Sequence, residues 1–471
     1  MFINVFRMLI LFVTIFIVYN YKKNKILNKL INKYYNYILA SIIILFSILV
    51  IILYNNVVHN VNVSDHYTNE YKEALMSGKL SFDIDGVDIK KFEELDNVYD
   101  FTQRGDLTYK AFDTSYYNGK FYMYFGILPA LLMGITKLSL ISITCLFSIL
   151  GVIFSVLFID LLIDRYCHKA SKTVKLLLII YFLFNSRLLL LIPTTRFYEL
   201  LVISGYSLCM VGLYLYMKFY NNKKNIYLFF GSLFLSLSLM CRPNMIIVFI
   251  FAFFLVYKKI NKKNFIYCFS PYIIIGLVLM YLNYIRFGNI FDFGIKYQIG
   301  IIDNSYSKFN LTTAINGILG YLFRIPVINN TFPYIYNSVL KIPYNGFYYN
   351  TSIGNGIVVM SVLGLILPFM NNKIDNKNKK LFIISIICGI ILLLLNNTAG
   401  GFVKRYTLEF AWLFLIPIII SSIKAFKNKK GVLFVLVIIS CLINFLVIFD
   451  TEKDDVSIKM NNKLYYYLKY F

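Results

Sequence analysis

The sequence predicts an all-α polytopic membrane protein of about twelve transmembrane helices, with a juxtamembrane helix and two long extracytoplasmic loops. Of its 471 residues 59% are hydrophobic, and the mean hydropathy is +0.67, well above that of an ordinary soluble domain. Apolar runs of about 20 residues recur, and each is long enough to cross about 30 Å of hydrocarbon. We therefore interpret residues 1–471 as a single integral-membrane domain.

The predicted spans follow the apolar runs. They cover 2–20, 36–54, 139–163, 174–193, 197–217, 225–243, 244–257, 264–285, 353–372, 381–397, 408–424 and 430–450. The first run, Phe2 to Tyr19, lacks a basic preceding segment and an Ala-x-Ala-like cleavage site, so we interpret it as a retained helix. The span at 244–257 is short and shares the turn Cys241-Arg-Pro-Asn244 with its neighbour.

The net charge of +24 invites a nucleic-acid partner, but the distribution of the charge argues against one. Lysines cluster in short loops between apolar runs: Lys22, Lys23, Lys25, Lys29 and Lys33; Lys258, Lys259, Lys262 and Lys263; Lys377, Lys379 and Lys380; Lys427, Lys429 and Lys430. Such clusters are typical of cytoplasmic loops, where they are attracted to anionic lipid headgroups. The prediction is a multi-pass protein of the cell membrane whose partner is the lipid bilayer.

Two long polar segments are predicted to face outward. The apolar stretch Phe121 to Lys137 is interpreted as a juxtamembrane helix, because counting it as a span would put the basic loop 165–175 outside. The first extracytoplasmic segment then covers 55–138, and its part from 55 to 120 holds 12 of the 23 acidic residues against seven basic ones. The second covers 286–350, and this topology places both termini outside.

Cysteine and histidine usage gives no sign of a disulfide framework or a zinc site. The seven cysteines lie in or beside apolar runs without a Cys-x-x-Cys pair, and the chain has only three histidines. The nine arginines are the more informative cations, since a guanidinium binds phosphate or carboxylate with a bidentate fork that an ammonium lacks.

Asp65, at the start of the first extracytoplasmic segment, is the candidate catalytic residue. A carboxylate at a bilayer mouth is costly unless it is solvated or functional, and it can act as a general base or help to hold a cation. The structural alternative is that Asp65 caps a helix from Tyr67 to Met76. The candidate substrate-binding residues on the same face are His66, Tyr67, Arg196, Arg242, Arg405, Tyr406 and Glu409.

Each of these arginines also has a structural interpretation. Arg196 and Arg242 stand at span ends, where long cations reach headgroups, and Arg405 with Glu409 has the i, i+4 spacing of a helix-surface ion pair. Arg187, inside an apolar run, is expected to face the bundle interior or to reach the outer headgroups, and we favour the second. The aromatic stretch 116–124 is most simply an interfacial belt.

At three places the chain resembles the GT-C superfamily of integral-membrane glycosyltransferases, especially protein O-mannosyltransferases, aminoarabinose transferases and their bacterial relatives. The places are Asp65-His-Tyr67 through Ala74-Leu-Met-Ser-Gly78, Tyr116-Tyr-Asn-Gly-Lys-Phe-Tyr-Met-Tyr-Phe-Gly126 running into Leu128-Pro-Ala-Leu-Leu, and Gly401-Phe-Val-Lys-Arg-Tyr406-Thr-Leu-Glu409. Many members carry an acidic pair where this chain has Asp65 followed by His66, which leaves the involvement of a divalent cation open.

The resemblance implies inverting transfer of a sugar from a polyprenyl-phosphate carrier to an extracytoplasmic acceptor. Asp65 would activate the acceptor hydroxyl, and Arg405 with Arg196 or Arg242 would hold the departing phosphate. The alternatives are a transporter or flippase of lipid-linked glycans, a polymerase or ligase of such glycans, and a silent relative that only binds carriers. A transporter would show broken helices in matching positions, and the sequence offers no counterpart to the break at Arg242.

Overall fold

A computed structural model describes residues 24–55, 57–59, 67–300, 311–344, 347–352, 354–369, 375–400, 402–450 and 458–460. Within them, eight helices are long and apolar enough to cross a membrane: Tyr35–Asn55 (α1), Leu140–Tyr166 (α2), Lys172–Thr194 (α3), Phe197–Asn222 (α4), Phe265–Phe287 (α5), Asn376–Asn397 (α6), Lys404–Ala425 (α7) and Lys430–Val447 (α8). The protein is therefore a mostly helical membrane protein, as predicted.

The other four predicted spans have different outcomes. The run 2–20 lies outside the described residues. The runs 225–243 and 244–257 form helices Asn225–Leu237 and Ile246–Val256, separated by two 3₁₀ turns. Pro243 lies in this break and has no N–H to continue the helical ladder. The described part of the run 353–372, residues 354–369, forms the short helices Ile357–Met360 and Val362–Ile366 and the 3₁₀ helix Leu367–Phe369.

Shorter elements complete the chain. The remaining helices are Asn24–Lys33, Thr68–Met76, Ile89–Glu93, Phe101–Arg104, Leu107–Lys110, Ile127–Thr136 and Leu311–Phe323. The strands are β1 (Val57–His59), β2 (Ser81–Phe82), β3 (Ser115–Tyr117), β4 (Lys120–Tyr122), β5 (Val327–Ile328), β6 (Ile335–Tyr336), β7 (Val339–Tyr344), β8 (Phe347–Ser352) and β9 (Ile458–Met460). They pair antiparallel as β1 with β9, as the three-stranded sheet β2-β4-β3, as β5 with β6 and as β7 with β8.

Helix α4 lies at the centre of the bundle. Of its most apolar window 89% is buried, against 17% for α5 and 28% for α8, whose apolar faces are left for lipid. Gly212 of α4 meets Gly231 of helix Asn225–Leu237 so closely that a Cβ added to Gly212 would lie 2.8 Å from the Gly231 carbonyl oxygen. Small residues at such crossings let helices in membranes pack backbone to backbone.

The lysine-rich loops meet at one end of the bundle, which we call the lysine end and define by Lys172, Lys175, Lys259, Lys377 and Lys424. Lys172 donates to the Asn32 carbonyl at 3.0 Å, and Lys377 donates to the Arg165 carbonyl at 2.6 Å. Lys175 is paired with Asp160 at 2.6 Å and with Asp164 at 2.8 Å. Loops far apart in sequence therefore share one end, which is the arrangement expected of cytoplasmic loops.

At the opposite end, residues 67–125 form a small domain that we call the cap. Helix Thr68–Met76 packs on helix Ile127–Thr136, whose ten residues are too few to cross a bilayer at 1.5 Å per residue. Two buried arginines fasten the cap: Arg286 of α5 donates to the Met123 carbonyl at 2.8 Å, and Arg104 of the cap donates to the Gly300 carbonyl of the second segment. The cap thus rests directly on the ends of the helices.

The aromatic stretch 116–124 is not simply an interfacial belt. It forms the hairpin of β3 and β4, and the residues Tyr116 and Phe121 are 6% and 1% exposed. The turn is Asn118-Gly119, with φ of +48° and +70°, and this dipeptide favours the tight turn of a hairpin because both positions accept positive φ. The sheet gives the cap a core of its own.

Candidate functional site

Three turns begin helices at the cap end and bring the predicted arginines together. Thr195, just before α4, donates to the Ile192 carbonyl at 2.8 Å and to the Tyr54 hydroxyl at 3.5 Å. The backbone N–H of Arg196 donates to the Glu199 carboxylate at 3.1 Å, which places an acid in the first turn of α4. Arg242 stands at the Pro243 break, and Arg405 stands in the 3₁₀ turn Lys404–Tyr406 that opens α7.

Arg242 and Glu409 form a buried ion pair. The Arg242 Nε lies 2.8 Å from Glu409 Oε1, and the side chain of Glu409 is fully buried. The amides of Asn244 and Asn396 donate to Glu409 Oε2 at 2.5 Å and 2.6 Å. Arg242 Nη2 also donates to the Asn396 oxygen at 3.0 Å. Buried charges are tolerated when every lone pair is satisfied in this way, so this guanidinium already has its carboxylate.

Arg405 has a different environment. Its guanidinium carbon lies 4.6 Å from the Tyr198 ring centroid and 5.4 Å from the Tyr406 ring, and Arg242 lies 4.9 Å from that same Tyr406 ring. Its ion-pair contact with Glu199 is long, at 3.9 Å, and 22% of its side chain is exposed. The i, i+4 ion pair with Glu409 that the spacing suggested is not formed, because Glu409 faces Arg242. Two arginines therefore share Tyr406, and of the two only Arg242 has a close carboxylate partner among the residues that the structure describes.

Asp113 joins the cap to this arginine cluster, and sequence reasoning missed it. Its carboxylate accepts hydrogen bonds from Tyr124 at 2.8 Å, from the Gln298 amide and from Tyr198 of α4. It also interacts electrostatically with Arg405. Burial, with Asp113 beside it, raises the pKa of Tyr124 well above its ordinary value, so this phenol stays a neutral donor.

The backbone of Asp113 has φ of +65°, a left-handed conformation that Asp adopts more readily than most residues. Its N–H donates to the Ile299 carbonyl at 2.7 Å, which ties the first segment to the second. Sequence gives only a weak signal for this residue, an Asp in an acidic segment. Its partner Gln298 lies 185 positions away, and no local pattern connects the two.

Of the three candidate site residues in the first extracytoplasmic segment, the structure describes only Tyr67. Asp65 and His66 lie outside the described residues. Tyr67 is described: its hydroxyl donates to the Lys110 carbonyl, its ring stacks on Phe82 at 6.0 Å, and burial raises its pKa to about 12. The helix that follows begins at Thr68 with Tyr67 as its N-cap residue and no side-chain cap. Tyr71 of that helix contacts Phe197, beside Arg196, at 6.4 Å between ring centroids.

Arg187 does not reach the outer headgroups as expected. It is 2% exposed and lies inside the bundle, where it donates to the Asn355 carbonyl at 3.3 Å and to the Asn444 amide oxygen at 3.5 Å. The backbone of Arg187 has φ of +76°, and α3 is interrupted at this residue between helices Lys172–Asn185 and Leu188–Leu191. The bundle therefore contains a second interrupted helix besides the one at Arg242, and the sequence did not reveal it.

Two further kinds of information could identify the function: a group of metal-binding side chains, and similarity to known proteins. Among the residues that the structure describes, no group of three or more His, Cys, Asp and Glu side chains could hold a metal ion. Comparison of the chain with protein-family models, with curated proteins and with solved structures finds no match.

Proposed function

We propose that the protein is a membrane glycosyltransferase that moves a sugar from a polyprenyl-phosphate carrier to an extracytoplasmic acceptor at the cap end. The observation that carries the proposal is the contrast between Arg242 and Arg405. Arg242 is neutralised by Glu409 at 2.8 Å, whereas Arg405 lies partly exposed on two tyrosine rings, 3.9 Å from Glu199. A guanidinium in such a place has a fork available for a phosphate oxygen pair.

In the proposed reaction, Asp65 takes the proton of an acceptor hydroxyl as that oxygen bonds to the anomeric carbon of the sugar. The bond between the anomeric carbon and the phosphate oxygen breaks, and its electron pair leaves with the polyprenyl phosphate. Attack from the face opposite the leaving group inverts the anomeric centre. Arg405 stabilises the charge that develops on the phosphate, an interaction that strengthens where water is excluded.

Asp113 acts in this scheme as a positioning residue. It holds the Tyr198 hydroxyl, and the Tyr198 ring lies under the Arg405 guanidinium at 4.6 Å. The same carboxylate binds Tyr124 of the cap, so the cap and the arginine are aligned through one group. Preorganisation of this kind avoids reorganising the donors as charge develops.

The test uses the full chain in proteoliposomes with polyprenyl-phosphate hexoses labelled in the sugar and with membrane extract as acceptor source. We expect labelled covalent product together with free polyprenyl phosphate. Arg405→Lys keeps the charge but loses the planar fork, and we expect at least a tenfold fall in rate. Arg324→Lys is the matched control, because Arg324 is exposed in the second segment.

Asp65→Asn completes the series, and full activity of that variant at unchanged expression would remove Asp65 from the mechanism.

The second candidate function is a transporter of lipid-linked glycans. It is favoured by the two broken helices, at Arg187 and at Pro243, because transporters bind substrates at such interruptions. Label that crosses between leaflets without any new covalent product would establish this alternative and overturn the transferase.

A further inference from the structure

Three cations at the lysine end converge on two tyrosine rings. The Arg165 guanidinium carbon lies 3.5 Å from the Tyr220 ring centroid, and the Lys259 ammonium lies 5.4 Å from the same ring. The Lys377 ammonium lies 4.8 Å from the Tyr166 ring. We call Arg165, Lys259 and Lys377 the Arg165 cluster. Cation–π contacts hold each of these charges in a fixed place but do not neutralise it.

The carboxylates that the structure describes at this end pair with lysines outside the Arg165 cluster. Asp160 and Asp164 pair with Lys175, and Asp375 pairs with Lys424. Within the described parts of the chain, no residue of the Arg165 cluster forms an ion pair with a carboxylate. The Arg165 Nε is buried, and among these residues it has no hydrogen-bond partner. Like charges gathered without an acid repel one another, so an anion bound here would be strongly favoured.

An open surface groove of about 600 Å³ lies between helix Ile246–Val256 and α5, and its lining residue Tyr257 is two positions from Lys259 of the cluster. Its lining residues are Phe253, Tyr257, Ile260, Asn261, Lys262 and Phe265. Tyr257 interacts electrostatically with Tyr166, whose ring the Lys377 ammonium faces. The phenylalanine rings make one wall apolar, and Asn261 and Lys262 make the rim polar.

We propose that the groove and the Arg165 cluster bind one anionic phospholipid. Its acyl chain would lie against Phe253, Ile260 and Phe265, and its phosphate would lie between Lys262 and the cluster. The positive charge of the cluster favours an anionic headgroup. A zwitterionic headgroup would place its own ammonium beside cations that have no carboxylate partner among the described residues. The apolar wall distinguishes a lipid from free phosphate, which would leave the phenylalanines exposed to water. Basic pockets between helices on the cytoplasmic side are suited to anionic headgroups.

The experiment measures bound lipid on the purified full chain in detergent by native mass spectrometry, with phosphatidylglycerol and phosphatidylcholine of matched acyl chains as probes. We expect wild-type protein to retain one phosphatidylglycerol in preference to phosphatidylcholine. The variant Arg165→Gln with Lys259→Gln should weaken that binding about tenfold or more. The control, Lys427→Gln with Lys429→Gln, removes the same charge at exposed positions of the same end and should leave it unchanged.

Three results would overturn the proposal. The first is an equal loss of lipid binding in the cluster and control variants, which would indicate unspecific attraction. The second is equal retention of both lipids by the wild type. The third is displacement of the lipid by millimolar inorganic phosphate. If the double variant does not fold, Lys262→Gln and Phe265→Ser decide, since both positions are exposed. We expect both to weaken binding, and full binding by both would equally refute the site. None of these outcomes depends on the transferase proposal.

Discussion

Arg242 and Glu409 are 167 residues apart in sequence and form an ion pair of 2.8 Å in which the Glu409 side chain is fully buried. Arg242 belongs to the break between helices Asn225–Leu237 and Ile246–Val256, whereas Glu409 belongs to the first α-helical turn of α7, just after the 3₁₀ turn Lys404–Tyr406. The pair therefore fixes the position of α7, and with it the position of Arg405, relative to the broken helix. Loss of either partner would disturb the candidate site and the bundle together.

The first prediction is that Glu409→Ala destabilises the protein by about 3–5 kcal/mol, because it leaves the Arg242 charge buried without its acid. The measurement is thermal or denaturant unfolding in detergent. Glu73→Gln, at an exposed position of helix Thr68–Met76, is the control and should stay within about 0.5 kcal/mol of wild type. The double variant Arg242→Met with Glu409→Leu removes the unpaired charge and should recover part of the loss, while the amides of Asn244 and Asn396 still lack their acceptor. A Glu409→Ala protein as stable as wild type would show that the pair is not formed.

The second prediction concerns Asp113 as the joint between cap and bundle. Asp113→Asn keeps the shape and the left-handed backbone but turns one acceptor oxygen into a donor, which cannot receive Tyr124, Tyr198 and Gln298 together. We expect a loss of about 1–3 kcal/mol and faster hydrogen exchange in residues 111–117 and 294–300.

Asp106→Asn is the matched control for this variant, because Asp106 is exposed, lies seven positions away and makes no side-chain cap. Equal exchange rates in both variants would mean that Asp113 does not fasten the cap. Transfer activity of Asp113→Asn should fall by the same factor with each hexose donor, since the residue positions Tyr198 and does not read the sugar.

The long spans could be predicted from sequence because length and apolarity alone decide whether a helix can cross a bilayer. Helices α1 to α8 follow from that criterion. The run 225–257 was predicted as two spans, and the structure has two shorter helices around Pro243, where the backbone ladder is interrupted. The β3–β4 hairpin was missed, although Asn118-Gly119 between aromatic runs was a sufficient signal for it.

The candidate site was only partly predictable. Sequence singled out Arg242, Arg405 and Glu409, because charges beside apolar runs are costly and rarely incidental. It could not determine which acid faces which guanidinium, since Glu409 is four residues from Arg405 and 167 from Arg242, yet pairs with Arg242. The interior position of Arg187 depends on Asn355 and Asn444, which local pattern does not reveal.

The third prediction compares two glycines in membrane helices. A Cβ on Gly212 would lie 2.4 Å from Leu235 and 2.8 Å from the Gly231 carbonyl oxygen, so Gly212→Ala should force α4 from its neighbour and cost about 1–3 kcal/mol. Gly276 in α5 has nothing within 4 Å, so Gly276→Ala should stabilise the helix by up to about 1 kcal/mol. Unfolding in detergent checks both signs. Equal effects would contradict the close crossing at Gly212.

The fourth prediction is the sidedness on which the transferase proposal depends. Lys91 is exposed on the cap and Lys429 is exposed at the lysine end, so single cysteines at these positions report opposite ends. Since basic loops stay in the cytoplasm, a membrane-impermeant maleimide should label Lys91→Cys in intact cells and Lys429→Cys only after lysis. The unmodified chain, whose seven cysteines are buried or partly buried, gives the background. The reverse labelling would put the cap and Arg405 in the cytoplasm, where an extracytoplasmic acceptor cannot reach them, and the proposed reaction would then have to be abandoned.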